Sequence, residues 1–473
     1  MSGRTTRARE SLRTRQVSNE RVQLDNRLAL ADEASLAEHR AAGMKVVIQV
    51  TWLYDRAVDL DGLRRFHHNL GQGLLGRRIE RPALPVARHR WVVDRGPSDV
   101  DIAESTRPRA DFSSWVDERS QLPVDAESGP GWHIGVVRLD DGSTAVSLVL
   151  SHNLIDGLGL ALVIVEGTLG KTRDLGYPPP RSRTRLRALA QDARETARDV
   201  PKAARALVTA VKSAREQQAR AKAEVNPSPA PQSVPAVNGV GTDEVVLVPA
   251  LTVYVDLDEW DARAEALGGA SHTLAAAFAA KFGEHIGRAR DKDGAVTLQI
   301  PISDRTEDDT RAMALSYARV TIDPAPVATD LREVRAAIKQ TLATLKETSE
   351  ESKQLLWLPS FMPKRMLKQM VSRVPADPDQ AVFCSYLGDL SSFISEADGT
   401  VAEFANARTT GQQESRQLLE RTGGRLVILS GRLSGKIFIS VGAYQPGAEN
   451  TTSALRELAA RTLADFDLVG EIH

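Results

Sequence analysis

The chain holds one cysteine, Cys384, and only 5% aromatic residues among its 473 positions. A lone thiol excludes an internal disulfide framework and any cysteine-rich metal site, and it calls for no oxidising compartment. Long apolar runs are missing as well. No window approaches the roughly 18 uninterrupted apolar residues of a membrane span. The Arg-rich N-terminus is not followed by the apolar core of a secretory signal. These absences predict a cytoplasmic protein, with a peripheral membrane contact as the alternative. Charge of one sign is lacking too: 61 lysines and arginines face 62 aspartates and glutamates, so no global field selects nucleic acid as a partner. The nine histidines are scattered, without a His-x-x-x-His or Cys-x-x-Cys pair, and no metal site is expected.

What is present is an ordinary globular composition, 42% apolar and 26% charged. Residues 1–20 are polar, with Arg4, Arg7, Arg9, Arg13 and Arg15, and are expected to be disordered. Residues 21–180 form the first folded unit. In it Lys45–Leu53 is largely β-branched and strand-like, and Asp59-Leu-Asp opens a helix through Leu63 and Phe66. Trp132–Leu139 and Ala145–Leu150 flank an Asp140-Asp141-Gly142 tip, which predicts a hairpin.

Residues 181–241 follow as a basic helix and a Pro-rich linker. Between Arg181 and Lys222, apolar residues at Leu186, Leu189, Ala193, Ala197, Val200, Ala204, Leu207 and Val211 make one narrow stripe with a basic opposite face. That helix reads as a solvated bridge or as one lying on an anionic membrane. Residues 226–241 are low in complexity and are expected to be a mobile linker. Residues 242–473 form a second unit: strand Leu247–Leu257, helix Ser271–His285, strand Val296–Ile302, helix Leu331–Leu345 and a hairpin around Gly431 within Arg425–Val441. The halves share a strand–helix–strand plan and no short repeat, so the fold class is mixed α/β with two similar lobes.

The chemistry concentrates at Ser151-His152-Asn153-Leu154-Ile155-Asp156-Gly157-Leu158-Gly159. A histidine at the end of a buried strand projects into a crevice while its backbone stays rigid. Its imidazole, with an ordinary pKa near 6.5, suits removal of a proton from a hydroxyl or amine. Gly157 and Gly159 permit a tight turn into the apolar helix Leu158–Ile164. The bland alternative is a core histidine satisfied by a carbonyl; the strand, the glycines and the apolar helix favour the base. His67-His68 has no Asp-Gly at the right spacing and reads as surface helix.

This segment resembles the His-His-x-x-x-Asp-Gly motif of the wax ester synthase/diacylglycerol acyltransferase family, shared with nonribosomal peptide condensation domains and polyketide-associated acyltransferases. Pro130-Gly-Trp132 is similar to the strand that precedes that motif, Ile300-Pro301-Ile-Ser303-Asp-Arg305 to its Pro-Val-Ser-x-Arg strand, and Cys384-Ser385-Tyr-Leu-Gly388-Asp389 to its Ser-Asn-x-Gly crossover region. The likeness implies two chloramphenicol-acetyltransferase-like lobes in a V-shaped pseudo-dimer with a tunnel between them. It implies His152 as the base, Asp156 in a structural pair with Arg305, Ser151 as support and Gly157 for close approach of the donor. Ser385 is a candidate oxyanion or substrate contact. Three departures accompany it: Ser151 replaces the first motif histidine, Ser271-His272 an Asn-Asp pair, and Tyr386 the crossover Asn.

The implied activity is acyl transfer from an acyl-CoA or acyl carrier protein thioester to a hydroxyl or amine, giving a lipid-like ester. No cofactor is implied beyond the acyl donor itself, which is a substrate. Two other readings are a condensation-type enzyme of natural-product assembly and a catalytically silent acyl- or carrier-binding relative. Trp357, Met362, Met366 and Met370 form a candidate acyl-channel lining, with the methionines at four-residue spacing; core packing is the alternative.

Overall fold

The computed structural model describes residues 25–223, 244–355, 365–366 and 377–473. The expected disordered terminus 1–20 and the linker 226–241 lie outside them. Two mixed sheets organise the rest. The first has five strands in the order Phe404–Gln412, Lys45–Tyr54, Thr144–Ser151, Trp132–Arg138 and Asp101–Ile102. The second has seven, in the order Leu315–Ile322, Val296–Ser303, Val382–Asp389, Arg425–Leu433, Lys436–Tyr444, Ala250–Asp256 and Glu471–Ile472. Each sheet carries its own apolar core. One gathers Trp52, Trp132, Phe66 and Leu148, and the other Trp260, Phe278, Phe282 and Phe466.

Local chemistry sets the elements. Asp59 caps helix Leu60–Leu70, its carboxylate accepting from the Asp61 amide, which satisfies a donor that the first turn leaves unpaired. Trp132–Arg138 and Thr144–Ser151 pair antiparallel with Trp132 opposite Leu150, and Gly142 at the tip has φ +88°. Helix Ser271–His285 has the bounds that its spacing predicts.

Three expectations are corrected. Residues 242–473 do not form one contiguous lobe, because Phe404–Gln412 crosses over and pairs with Lys45–Tyr54, Trp52 opposite Ala405. The segment that crosses is therefore not Cys384–Asp389, which stays in the second sheet between Val296–Ser303 and Arg425–Leu433. The join is sealed by the Trp52 indole, which donates to the Ile394 carbonyl at 2.6 Å. The final hairpin also turns at Ser434-Gly435, not at Gly431. Both turn residues have positive φ, +51° and +76°, as a two-residue turn matching the strand twist requires. Gly431 sits mid-strand opposite Phe438, where a Cβ would lie 2.9 Å from the ring.

The two glycines should respond differently. Gly435→Ala should cost about 1–2 kcal/mol for a side chain forced into left-handed backbone. Gly431→Ala should cost about 1–3 kcal/mol through overpacking against Phe438, and the smaller Phe438→Leu ring replacement in the same chain should recover part of that loss. Urea denaturation of the variants checks both; no recovery in the Gly431→Ala/Phe438→Leu chain would refute the packing account.

Candidate active site

Strand Thr144–Ser151 is buried along its whole length and ends where its ladder ends. Ser151 is the last paired residue, opposite Val47, and its amide donates to the Gly131 carbonyl at 2.9 Å. The next amide, of His152, donates to the Val46 carbonyl at 3.0 Å. The backbone thus fixes His152 at the strand's end before the chain turns. Asp156 then caps helix Gly157–Thr168, its Oδ1 accepting from the Gly159 amide at 2.8 Å.

Asp156 is fully buried and meets Arg305, which follows strand Val296–Ser303 of the other sheet. Arg305 Nε donates to Oδ1 at 3.0 Å and Nη2 to Oδ2 at 2.6 Å. The Ala314 amide donates to Oδ2 at 2.9 Å. The guanidinium reaches further, to the carbonyls of Asp309, Arg311 and Ala312 at 3.0–3.2 Å. Gly159 makes room for it, since a Cβ there would lie 2.9 Å from the Arg305 Cζ. Two further groups tie the same loop down. Asp32 accepts from the Met313 amide at 2.8 Å, and buried Arg77 donates to the carbonyls of Thr310 and Leu154 at 2.5 and 2.8 Å. The residues before and after Asp156 are therefore clamped to loop 304–314 from several sides.

A cavity of about 1180 Å³ opens between the sheets, lined by His152, Gly157 and Ser385 together. Ser151, Asp156 and Arg305 stay behind its wall and do not line it. Gly157 faces Leu387 of the second sheet, 3.4 Å from where its Cβ would stand. The half-buried His152 imidazole is pushed down to about 4 by burial and then by neighbouring His39. Its Nδ1 is buried and has no hydrogen-bond partner. Asp156 does not touch it, because that carboxylate is fully engaged by Arg305 and two amides. The arrangement is a neutral imidazole on a cavity wall, without the carboxylate partner of a catalytic triad. Cys384 is buried and its thiol is pushed up to about 12, which removes it as a nucleophile near neutral pH.

Several lining groups escaped the sequence reading. His39, on helix Leu30–Ala42, lines the cavity and hydrogen-bonds Asn153 through Nδ1 at 3.0 Å. Met44, Met313, Arg288 and Arg425 line it as well. They come from elements far apart in sequence, and no local motif marks them. Met366, by contrast, is 52% exposed and does not line the cavity; Trp357, Met362 and Met370 lie outside the described residues. Two of the three departures from the resembling pattern, Ser271-His272 and Tyr386, meet in space. The Tyr386 ring, on the cavity wall, is 6.3 Å from the His272 ring, and Ser271 accepts from the Trp260 indole at 3.0 Å.

No protein-family profile matches the sequence, and no curated protein does. Solved structures do. The first condensation domain of the calcium-dependent antibiotic synthetase, in complex with a substrate analogue, matches with a TM-score of 0.54 at 14% identity, over 93% of this chain and 99% of that one. The wax ester synthase/diacylglycerol acyltransferase from Marinobacter aquaeolei VT8 matches with a TM-score of 0.52 at 14% identity, over 93% and 98%. The chain therefore has the two-lobed α/β fold of these proteins along nearly its whole length. Among the described residues no helix is long and apolar enough to cross a membrane.

The clamp is testable by itself. Asp156→Ala should cost about 3–5 kcal/mol, because Arg305 is left buried without its counter-charge. Adding Arg305→Met should recover part of that loss, as coupled partners do. Chemical denaturation of the single and double variants measures both, and strictly additive losses would refute the coupling.

Proposed function

We propose that the chain is an acyltransferase that moves an acyl group from a thioester to a hydroxyl or amine, with His152 as general base and no covalent enzyme intermediate. The observation that carries this reading is the neutral His152 imidazole on the wall of the cavity between the two lobes. The fold likeness to condensation and acyltransferase proteins supports the reaction class.

Acyl thioester and acceptor would meet in the cavity beside His152. As the acceptor oxygen or nitrogen attacks the thioester carbonyl, its proton passes to His152. The tetrahedral intermediate then collapses, the carbon–sulfur bond breaks, and the imidazolium returns its proton to the departing thiolate. A pKa near 4 suits the second half especially well, since the imidazolium is a strong proton donor. In the first half the base is already unprotonated at neutral pH, and the charge developing on the intermediate favours the proton's arrival. Ser385, on strand Val382–Asp389 of the second sheet, is the candidate contact for the substrate or oxyanion.

The donor is proposed to be acyl-CoA or a carrier-bound acyl group, and the product a lipid-like ester. The apolar part of the wall, with Leu160, Ile164 and Met313, supports an acyl chain of medium or long length. The match to a condensation domain supports a second reading, an ester- or amide-forming enzyme that takes both partners from carriers. Purified protein given coenzyme A and carrier-protein thioesters in parallel, with thiol release recorded, separates the two. No thiol release from either donor across a panel of alcohols and amines would overturn the transferase reading in favour of a silent binding relative.

Three outcomes are expected. His152→Ala should keep its circular dichroism spectrum and lose transfer by about 100-fold or more, the scale of general-base catalysis. The pH profile follows from the direction of the shift. The active form is neutral, the folded-state pKa is lowered to about 4, and so kcat/KM should stay level from pH 8 down to about 5 and fall only below that. A midpoint near the ordinary histidine value of about 6.5 would contradict the buried base. Finally, donor preference should rise with chain length by up to about 0.8 kcal/mol per methylene until the cavity is full. Met313→Trp should shorten the preferred donor and the exposed Met366→Trp should not, as a series from acetyl to palmitoyl thioesters would reveal.

A further inference from the structure

Over the described side chains of residues 185–205, helix Arg185–Ala223 does not dock through its apolar stripe. Its inward face is acidic. Asp192 accepts from the Ala83 and Leu84 amides at 2.8 and 3.3 Å and from Arg183 at 2.9 Å. Glu195 pairs with Arg90, and Asp199 with Arg27 at 3.3 Å. Ala188, Asp192 and Asp199 are buried along this stripe, with Glu195 half-buried between them.

The two remaining stripes face outward. Leu186, Leu189, Ala193, Ala197, Val200 and Ala204 recur every three or four residues, which puts them on one side of the helix, and all are exposed. Leu186 is 82% exposed and Val200 50%. Beside them, at seven- and four-residue steps, stand Arg187, Arg194 and Arg198, also exposed, and none of the three forms an ion pair among the described residues. The chain as a whole is nearly neutral, at −1, so any attraction to an anionic partner must come from a local patch of cations such as this one.

We propose that this outward face lies flat on an anionic membrane surface, with the leucine–valine stripe entering the acyl boundary and the arginines meeting lipid phosphates. An apolar stripe flanked by cations is the pattern of an interfacial helix. Charge complementarity decides the occupant. A second copy of the helix would set arginine against arginine, and a nucleic acid would leave the leucines without an apolar partner. Asp192, Glu195 and Asp199, which an anionic surface would repel, are on the side turned into the protein.

The test is flotation of the full-length chain with vesicles of phosphatidylglycerol and phosphatidylcholine in equal parts, against phosphatidylcholine alone. Binding is expected on the mixed vesicles only, and it should weaken steeply between 0.1 and 0.5 M salt, as the Debye length falls below about 10 Å. The triple variant Arg187→Glu, Arg194→Glu, Arg198→Glu should bind about 100-fold more weakly, given the contribution of each cation at a charged surface. Leu186→Ser with Leu189→Ser should lose about 100-fold or more, since each loses the burial of a leucine side chain. Both variants should keep the wild-type circular dichroism spectrum. Equal binding to neutral vesicles, no binding by the wild type, or undiminished binding by the arginine variant would each overturn the proposal. So would sedimentation as a dimer that Leu186→Ser with Leu189→Ser dissolves, or displacement from vesicles by a DNA duplex at equal charge concentration.

Discussion

The Asp156 carboxylate is a buried point at which the two sheets are held together, beside the crossing strand Phe404–Gln412. It accepts four N–H donors: two from Arg305, one from the start of its own helix and one from loop 304–314. A carboxylate removed from water is tolerated only when its charge and lone pairs are answered in this way. Because one donor set comes from each side, the same bonds that make the burial tolerable also fix the loop after Ser303 against the turn that carries His152. The cavity between the sheets inherits its wall from that registration. Arg77 and Asp32 add bonds to the same loop, so the contact is a network and not a single tie.

That engagement also sets the chemistry next door. A carboxylate committed to a guanidinium has little left to offer a nearby imidazole, and the charge of Asp156 offsets only a small part of the lowering that burial and His39 impose on His152. Spacing alone would allow Asp156 to act on His152 four residues earlier; the geometry gives it to the backbone and to Arg305. Structural and chemical roles within one short motif are thereby divided between its two ends.

Local patterns made much of this legible. The strand–turn–helix around His152, the Asp-Gly hairpin and helix Ser271–His285 follow from alternation, glycine and capping chemistry that act over a few residues. The segments that misled share a different cause. Phe404–Gln412 has no local mark of the sheet it joins, since strand pairing is settled by partners hundreds of residues away. Gly431 looked like a turn because glycine often makes one, but here it yields space to Phe438 and leaves the reversal to Ser434-Gly435. The cavity wall was the least readable feature. His39, Met44, Met313 and Arg425 become neighbours only through the fold, whereas the regular methionine spacing that drew notice put Met366 at the surface.

The long helix exposes a weakness in reading amphipathicity from hydrophobicity alone. A stripe of leucine, valine and alanine would ordinarily be assigned to the core face, because apolar burial is the dominant favourable term in folding. Alanine contributes little area, however, and Ala193, Ala197 and Ala204 make up half of the stripe over residues 186–204. Against it stand three acidic residues that meet arginines and backbone amides already fixed on the first lobe. Charge-assisted hydrogen bonds in a partly buried setting are worth roughly twice neutral ones, so several of them outweigh a thin apolar stripe. The helix is turned by its acids, and its apolar and cationic faces are left together on the outside as a consequence of how it is anchored.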